Sequence, residues 1–395
     1  MSWEKMKLND VCISISDGDH QPPPKANKGV PFVTISNITN TNQFDFSNTM
    51  FVPQEYYDGL DSKRKAQEGD VLYSVVGSFG IPVYIKNNTP FVFQRHIAIL
   101  RPNVYKIEPQ FLYYTMLNRD FYLKADAAAI GAAQRTVSLT ALRNMEIEIP
   151  HIETQKKIAK ILSSYDNLIE NNQKQIKLLE EAAQRLYKEW FVDLRFPGYE
   201  NVKIVNGVPE GWTKPSMNDI ADYLNGYAFK PDDWNDKGKP IIKIKEMNEG
   251  IISSTPRNDG STIPEKYNVT AGDILFSWSA TLAAMIWDSE DDLLNQHLFK
   301  VTPNNGVCRE YVLQSILKTL DEFKNLTTGS TMKHIQRGKL KEVFVNLPSQ
   351  EIMDKFASIA DVYREIVLRL QKQNNALKEA RDRLLPRLMS GEIEV

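Results

Sequence analysis

The chain repeats itself, and no other feature of the sequence restricts its fold so strongly. Gly131 to Pro150, GAAQRTVSLTALRNMEIEIP, lies on Gly329 to Pro348, GSTMKHIQRGKLKEVFVNLP, without a gap at an offset of 198. Val137 falls on Ile335 and Leu142 on Leu340. Upstream, Glu68-Gly69-Asp70-Val71-Leu72 matches Ala271-Gly272-Asp273-Ile274-Leu275 at 203, and His96-Ile97 matches His297-Leu298 at 201. At the front of each copy, Trp3 matches Trp212 and Asn9-Asp10-Val11 matches Asn218-Asp219-Ile220, both at 209. The offset drifts while the order is kept, as expected of two diverged copies with loop insertions. Two such copies fill the 395 residues.

Each copy reads as a globular part followed by one long helix. Short β-branched and aromatic runs, Val30 to Ile35, Asp70 to Val76 and Phe91 to Leu100, are separated by Gly, Pro and Asn turns, and Pro240 to Ile244, Asp273 to Trp278 and His297 to Thr302 repeat the pattern. A helical stretch interrupts each set, Gln110 to Lys124 and Glu310 to Leu326, so the class is α+β. Beyond Pro150, steps of three and four join Leu162, Tyr165, Ile169, Asn172, Ile176, Leu179, Ala183, Leu186 and Trp190 in a heptad seam. The offset of 198 carries the seam to Ala360, Tyr363, Val367, Leu370, Asn374, Leu377, Arg381, Leu384 and Leu388. Residues 158 to 190 make a rod of about 50 Å. The two helices are each other's natural partners. A two-fold relation between the copies sets them antiparallel, with Asn172 and Asn374 as polar register pins. The plainer alternative is an amphipathic helix packed on its own globular core.

Composition excludes several classes. Two cysteines, Cys12 and Cys308, form no CxxC or Cys/His cluster, so neither a disulfide framework nor a zinc site is indicated. No run approaches the apolar length of a membrane span, and the opening Met1-Ser2-Trp3-Glu4-Lys5 lacks the apolar segment of a secretory signal. Cytoplasm is the expected location. The net charge of -2 gives no whole-molecule attraction to nucleic acid or anionic membrane, and the globular parts are near neutral, with 15 basic and 15 acidic residues in 1–150 and 17 and 19 in 201–350. The sequence carries no phosphate-binding or dinucleotide-binding loop motif, no zinc-protease HExxH and no nucleophile elbow. Pro22-Pro23-Pro24 follows Gln21, not the Asp or Asn of the element with which amino-methyltransferases hold a target amine. The five histidines show no metal-ligand spacing.

The order of parts resembles the specificity subunit of type I restriction-modification enzymes. The resemblance spans the whole chain and is sharpest in GAAQRTVSLTALRNMEIEIPHIETQKKI, GSTMKHIQRGKLKEVFVNLPSQEI, the helix exit RLYKEWFVDLRFPGYE, the domain opening PEGWTKPSMNDIADYLNGYAFK and the tail RLLPRLMSGEI. It implies two tandem mixed α/β target recognition domains, over 1–150 and 197–348. Each is followed by a spacer helix, over 151–196 and 349–395. Two long helices then form an antiparallel coiled coil around an internal pseudo-two-fold repeat. It implies a non-catalytic subunit that reads a bipartite, asymmetric site on double-stranded DNA and docks two modification subunits and the restriction or translocase subunits. S-adenosylmethionine, ATP and magnesium then belong to those partners, with no cofactor or metal in this chain. The near-neutral domains imply that partners supply much of the phosphate contact.

Candidate DNA-facing residues follow. Lys63-Arg64-Lys65 is the densest basic run of the first domain. Arg95-His96 stands where the second has Gln296-His297, and arginine and glutamine pair bidentately with guanine and adenine edges. The competing reading makes His96 and His297 fold-keeping residues at matching strand positions. Arg135 and Lys333 precede Val137 and Ile335, suiting either a phosphate contact or a domain-helix brace, and Lys245 completes the set. Phe79 and Trp278 suit a groove wedge, though such aromatics are mostly core. Rivals from other classes are a two-domain scaffold holding two non-DNA ligands at a fixed distance, and a nuclease with a diverged site.

Overall fold

The computed structural model describes residues 3–39, 41–132, 134–326 and 334–395. It divides into two units, Met1–Ile169 together with Leu377–Val395, and Glu170–Ala376.

In the first unit β1 (Glu4–Lys7), β2 (Cys12–Asp17), β3 (Val30–Val33), β4 (Met50–Val52), β5 (Val71–Ser74), β6 (Pro82–Tyr84), β7 (Val92–Phe93), β8 (Ile97–Pro102) and β9 (Glu146–Ile149) build one antiparallel sheet of order β2-β8-β5-β6, a smaller one of order β4-β3-β7, and a β1-β9 ladder. The β3-β7 pairing is parallel, Phe32 opposite Val92. Strand β5 is buried along its whole length, which its unbroken apolar run Val71-Leu72-Tyr73 demands. The expected single helix is two, α1 (Pro109–Leu117) and α2 (Arg119–Ala128). Asn118 breaks the run by taking an extended backbone, ψ 139°, and serves as the N-cap of the second piece. The run expected over Phe91 to Leu100 is also broken, because Gln94 bridges to Asp19 and the chain turns before β8. His96 therefore sits in a turn, and so does His297, correcting the strand positions expected for them. The long helix α3 (Ile152–Tyr187) starts just past Pro150 and ends in a π-helical turn, Lys188–Val192.

The second unit repeats this wiring. Strands β10 (Ala221–Asn225), β11 (Lys239–Ile242), β12 (Arg257–Asn258), β13 (Asn268–Val269), β14 (Ile274–Ser277), β15 (Ala283–Ile286), β16 (Asp292–Leu294) and β17 (Leu298–Pro303) form sheets of order β10-β17-β14-β15 and β12-β11-β16-β13. The first is the counterpart of β2-β8-β5-β6, and the β11-β16 pairing is again parallel. Its helices include α4 (Ile244–Glu249), between β11 and β12, then α5 (Arg309–Asn325) and α6 (Gln350–Met389), whose residues from Leu377 on belong to the first unit.

The long helices are sealed into both cores. In the first unit Ile158 and Leu162 of α3 and Leu385 and Leu388 of α6 share one core with Phe111 and Leu142. Pro386 is carried inside α6. In the second unit Phe191, beyond the end of α3, packs edge-on against Tyr311 and Phe356 at ring separations of 4.9 Å, with Trp190 6.0 Å from Phe356. Such edge-to-face aromatic contacts bury large apolar area in a fixed geometry. The helices form an antiparallel coiled coil. In the second unit Asn172 bonds Asn374 and Glu180 approaches Arg364, one number rising as the other falls, and in the first unit Asp166 meets Arg381. Leu162, Ile169, Asn172, Val367 and Asn374 are buried, and Tyr165, Ile176, Leu179, Tyr363, Leu370 and Leu377 are half-buried.

Candidate nucleic-acid interface

In each unit four segments of backbone meet at one end of the larger sheet. In the first unit Gly18 leaves β2 and packs so closely on the turn after β7 that a Cβ there would lie 2.2 Å from the Phe93 carbonyl oxygen. Asp19 then bridges Gln94, its carbonyl accepting from the Arg95 N–H at 3.0 Å. The loop after β5 joins this turn, as the Val75 N–H donates to the His96 carbonyl at 2.8 Å, and the segment ahead of the long helix joins the loop, as the Val137 N–H donates to the Val75 carbonyl at 2.9 Å. The second unit has the same crossing. A Cβ on Gly226 would lie 2.2 Å from the Asn295 carbonyl, the Gln296 N–H donates to Tyr227, and the Ile335 N–H donates to the Trp278 carbonyl. Gly77 and Ala280 turn the two loops with left-handed backbone, φ 70° and 56°.

The same frame presents different side chains. The first crossing offers Arg95, exposed at the tip of its turn, and His96 beside it. Burial, aided by the Arg95 charge, holds the His96 imidazole below its ordinary value, so the ring is neutral at pH 7, one nitrogen donating and the other accepting. Phe79 stacks on Tyr122 at 5.8 Å, and the Arg135 guanidinium lies over the Phe79 ring at 5.6 Å from its centroid. The second crossing offers Gln296, exposed, and His297, whose ring lies 5.8 Å from Trp278. Among the described residues the buried Trp278 Nε1 and His297 Nδ1 atoms have no hydrogen-bond partner, and His334 closes the group at 6.2 Å from Trp278. Both aromatic residues are therefore packed members of the crossings, not wedges standing free.

The structure brings Arg95, His96, Gln296 and His297 to these crossings. Arg64 joins the first through Asp19, at 4.0 Å, and Asp19 also accepts from Tyr56. Lys63 is exposed, while Lys65 donates to the Asp58 carbonyl at 2.9 Å and lies over the Tyr57 ring. Arg135 is tied to the end of α2 by the Asp126 carboxylate and carbonyl, a brace within its own domain. Lys245, on α4, pairs with Glu249 at 3.9 Å in an exposed i,i+4 contact. Lys333 lies outside the described residues.

One residue pair that sequence reasoning missed supports the basic turn. Asp70, fully buried, receives two hydrogen bonds from Arg101, whose guanidinium also reaches the Ser62 and Lys65 carbonyls and so pins the turn carrying Lys63. The second unit substitutes Lys300, 3.8 Å from Asp273 and 2.7 Å from the Asn268 carbonyl. The matched Gly-Asp dipeptides were the available signal. Among the described residues no group of three or more His, Cys, Asp or Glu side chains could hold a metal ion, and no helix is long and apolar enough to cross a membrane.

A duplicated α+β frame thus carries unlike side chains at equivalent tips and is joined to a pair of long helices. The chain belongs to the type I restriction modification DNA specificity domain family, whose model matches it twice in tandem, over residues 1–181 and 209–379. It is 27% identical to the type I restriction enzyme MjaIX specificity subunit of Methanocaldococcus jannaschii, covering 100% of this chain and 94% of that one, and 24% identical to the HindI specificity subunit of Haemophilus influenzae, covering 99% of each. The crystal structure of the S subunit of a type I system from M. genitalium shares the fold, with a TM-score of 0.56 at 14% identity over 98% of this chain and 96% of that one. These findings support the DNA reading and lend nothing to the ligand-holding scaffold.

Proposed function

We propose that this chain is the DNA sequence-specificity subunit of a type I restriction-modification complex, and that it is itself non-catalytic. One observation carries the reading: a single backbone crossing occurs twice, once tipped with Arg95-His96 and once with Gln296-His297. A repeated frame with unlike hydrogen-bonding tips suits two unlike half-sites of a bipartite DNA target. Arg95 suits a guanine edge and Gln296 an adenine edge. Lys63 and Arg64 sit beside the first crossing as phosphate contacts, which fix register without reading sequence. Since neither domain carries net positive charge, most phosphate neutralisation falls to the partners, two modification subunits and the restriction or translocase subunits. Those partners also hold S-adenosylmethionine, ATP and magnesium.

Methylome mapping of cells that carry the chain with its modification subunits tests this reading. The expected target is asymmetric and bipartite. Arg95→Ala is expected to relax one half-site and Gln296→Ala the other, each wrong base gaining about 1–3 kcal/mol relative to wild type. A single palindromic target, or two variants that relax the same half-site, overturns it.

A further inference from the structure

Three polar contacts of the coiled coil, Asn172 with Asn374, Asp166 with Arg381 and Glu180 with Arg364, join positions that differ in the two copies. Asn172 Nδ2 donates to Asn374 Oδ1 at 2.9 Å and to Gln373 Oε1 at 3.0 Å, and both asparagines are buried. Under the repeat offset of 198, however, Asn172 corresponds to Leu370, and Asn374 to Ile176. A helix paired in this register with a second copy of itself would set Asn172 against Ile176, or Asn374 against Leu370. The second arrangement strands the buried Asn374 amide, and the first takes the Asn374 partner from Asn172 and leaves it only Gln175, the equivalent of Gln373.

The charges sort the same way. The first copy supplies acids, Asp166 at 2.5 Å from Arg381 and Glu180 at 3.8 Å from Arg364. The second copy supplies the arginines. Position 166 corresponds to 364, 183 to 381 and 180 to 378. Self-pairing of the first helix would oppose Glu180 to Asp166 and leave Asp166 facing Ala183. Self-pairing of the second would oppose Arg381 to Arg364 and Arg364 to Lys378. Every such contact is like-charged or uncompensated. The side chains of Asp166 and Arg381 are 21% and 19% exposed and that of Arg364 9%, so solvent screens these contacts far less than surface pairs. Glu180 is half exposed and adds little attraction. Two of these charges, Asp166 and Arg364, are also aimed by their own recognition domains. Tyr114 of α1 donates to Asp166 at 2.6 Å, and Glu310 of α5, itself held by Gln314, accepts from Arg364 at 2.9 Å.

We propose that the seam is a hetero-specific zipper, in which each helix accepts the helix of the opposite copy and rejects a second copy of itself. The partner each surface fits is the other half of this chain, in cis or from another molecule, and never its own like. The inference stands on the helix contacts and is independent of what the recognition domains read.

The test uses the full chain in urea unfolding. Arg381→Glu creates an acid-acid contact with Asp166, and Asp166→Arg creates the Arg-Arg contact that self-pairing of the second helix would make at this site. Each is expected to raise the unfolded-to-folded ratio about tenfold or more, and the double variant, with the charges exchanged, to recover to within about threefold of wild type. Single variants as stable as wild type, or no recovery in the double, overturn the proposal. A direct measurement follows from a protease site placed between Glu200 and Asn201, in an exposed turn. Cut protein, one batch isotopically heavy, is mixed with a light batch in urea sufficient for halves to exchange, then diluted and weighed by native mass spectrometry. First-second complexes in excess over like pairs by about tenfold support the zipper. Like pairs at their statistical share overturn it.

Discussion

Burial and the neighbouring Asp70 push the Cys12 thiol up to about 12, and burial does the same for Cys308, also to about 12. At pH 8 only roughly one such thiol in ten thousand is the reactive thiolate. Native protein is therefore expected to resist iodoacetamide at pH 8 and to take up two alkyl groups once unfolded, counted by intact mass; rapid alkylation of the native chain would refute the burial argument. Other residue roles were only partly legible in the sequence. The Gly-Asp repeats announced turns, since Gly69 and Gly272 both take left-handed backbone, φ 88° and 95°. The duty of Asp70 was invisible, because its partner Arg101 is 31 residues away and is brought near only by the β5-β8 ladder. Gly18 and Gly226 were missed for the same reason: what makes them necessary is a carbonyl from a distant turn. The tips were visible as a mismatch, Arg95 against Gln296, because a repeat displays its own substitutions.

Helices were the most legible elements, since a heptad seam is a local pattern written in one stretch of chain. Strand limits were less so. The break of β7 from β8 depends on the bridge from Asp19, and the break between α1 and α2 falls at Asn118, where no Gly or Pro gives warning. In the coiled coil the sequence named both asparagines, and the structure adds that they bond one another. An amide left alone in the seam costs more than the pair contributes, because it must shed water without recompense. Asn172→Ala is accordingly expected to lower stability by about 1–3 kcal/mol. Asn172→Leu with Asn374→Ile, which supplies apolar side chains from the repeat-equivalent positions, is expected to match or exceed wild type. Urea midpoints of the two variants decide the matter: a double variant weaker than Asn172→Ala would mean that the amide pair itself, not its satisfaction, holds the helices.

At the scale of the molecule, the two ends of the chain return to one unit. The Trp3 ring packs on Gly391, so closely that a Cβ there would come within 2.8 Å of the indole nitrogen. Joining Val395 to Met1 by a short linker and opening the chain between Glu200 and Asn206 is therefore expected to keep the fold and, in the assembled complex, the same methylated sequence. A permutant that folds yet methylates a different sequence would contradict the arrangement. The ends matter for another reason. The second unit is one unbroken stretch, Glu170–Ala376, whereas the first needs Leu377–Val395 to cover Ile158 and Leu162 with Leu385 and Leu388. During synthesis the domain that is made first is thus sealed last. A polypeptide abandoned on the ribosome before Leu377 carries a finished second reader and an open first one, its apolar stripe bare to chaperones and proteases. Closure of the first reader waits on Leu377–Val395, so the wiring couples possession of two readers to synthesis of that closing segment.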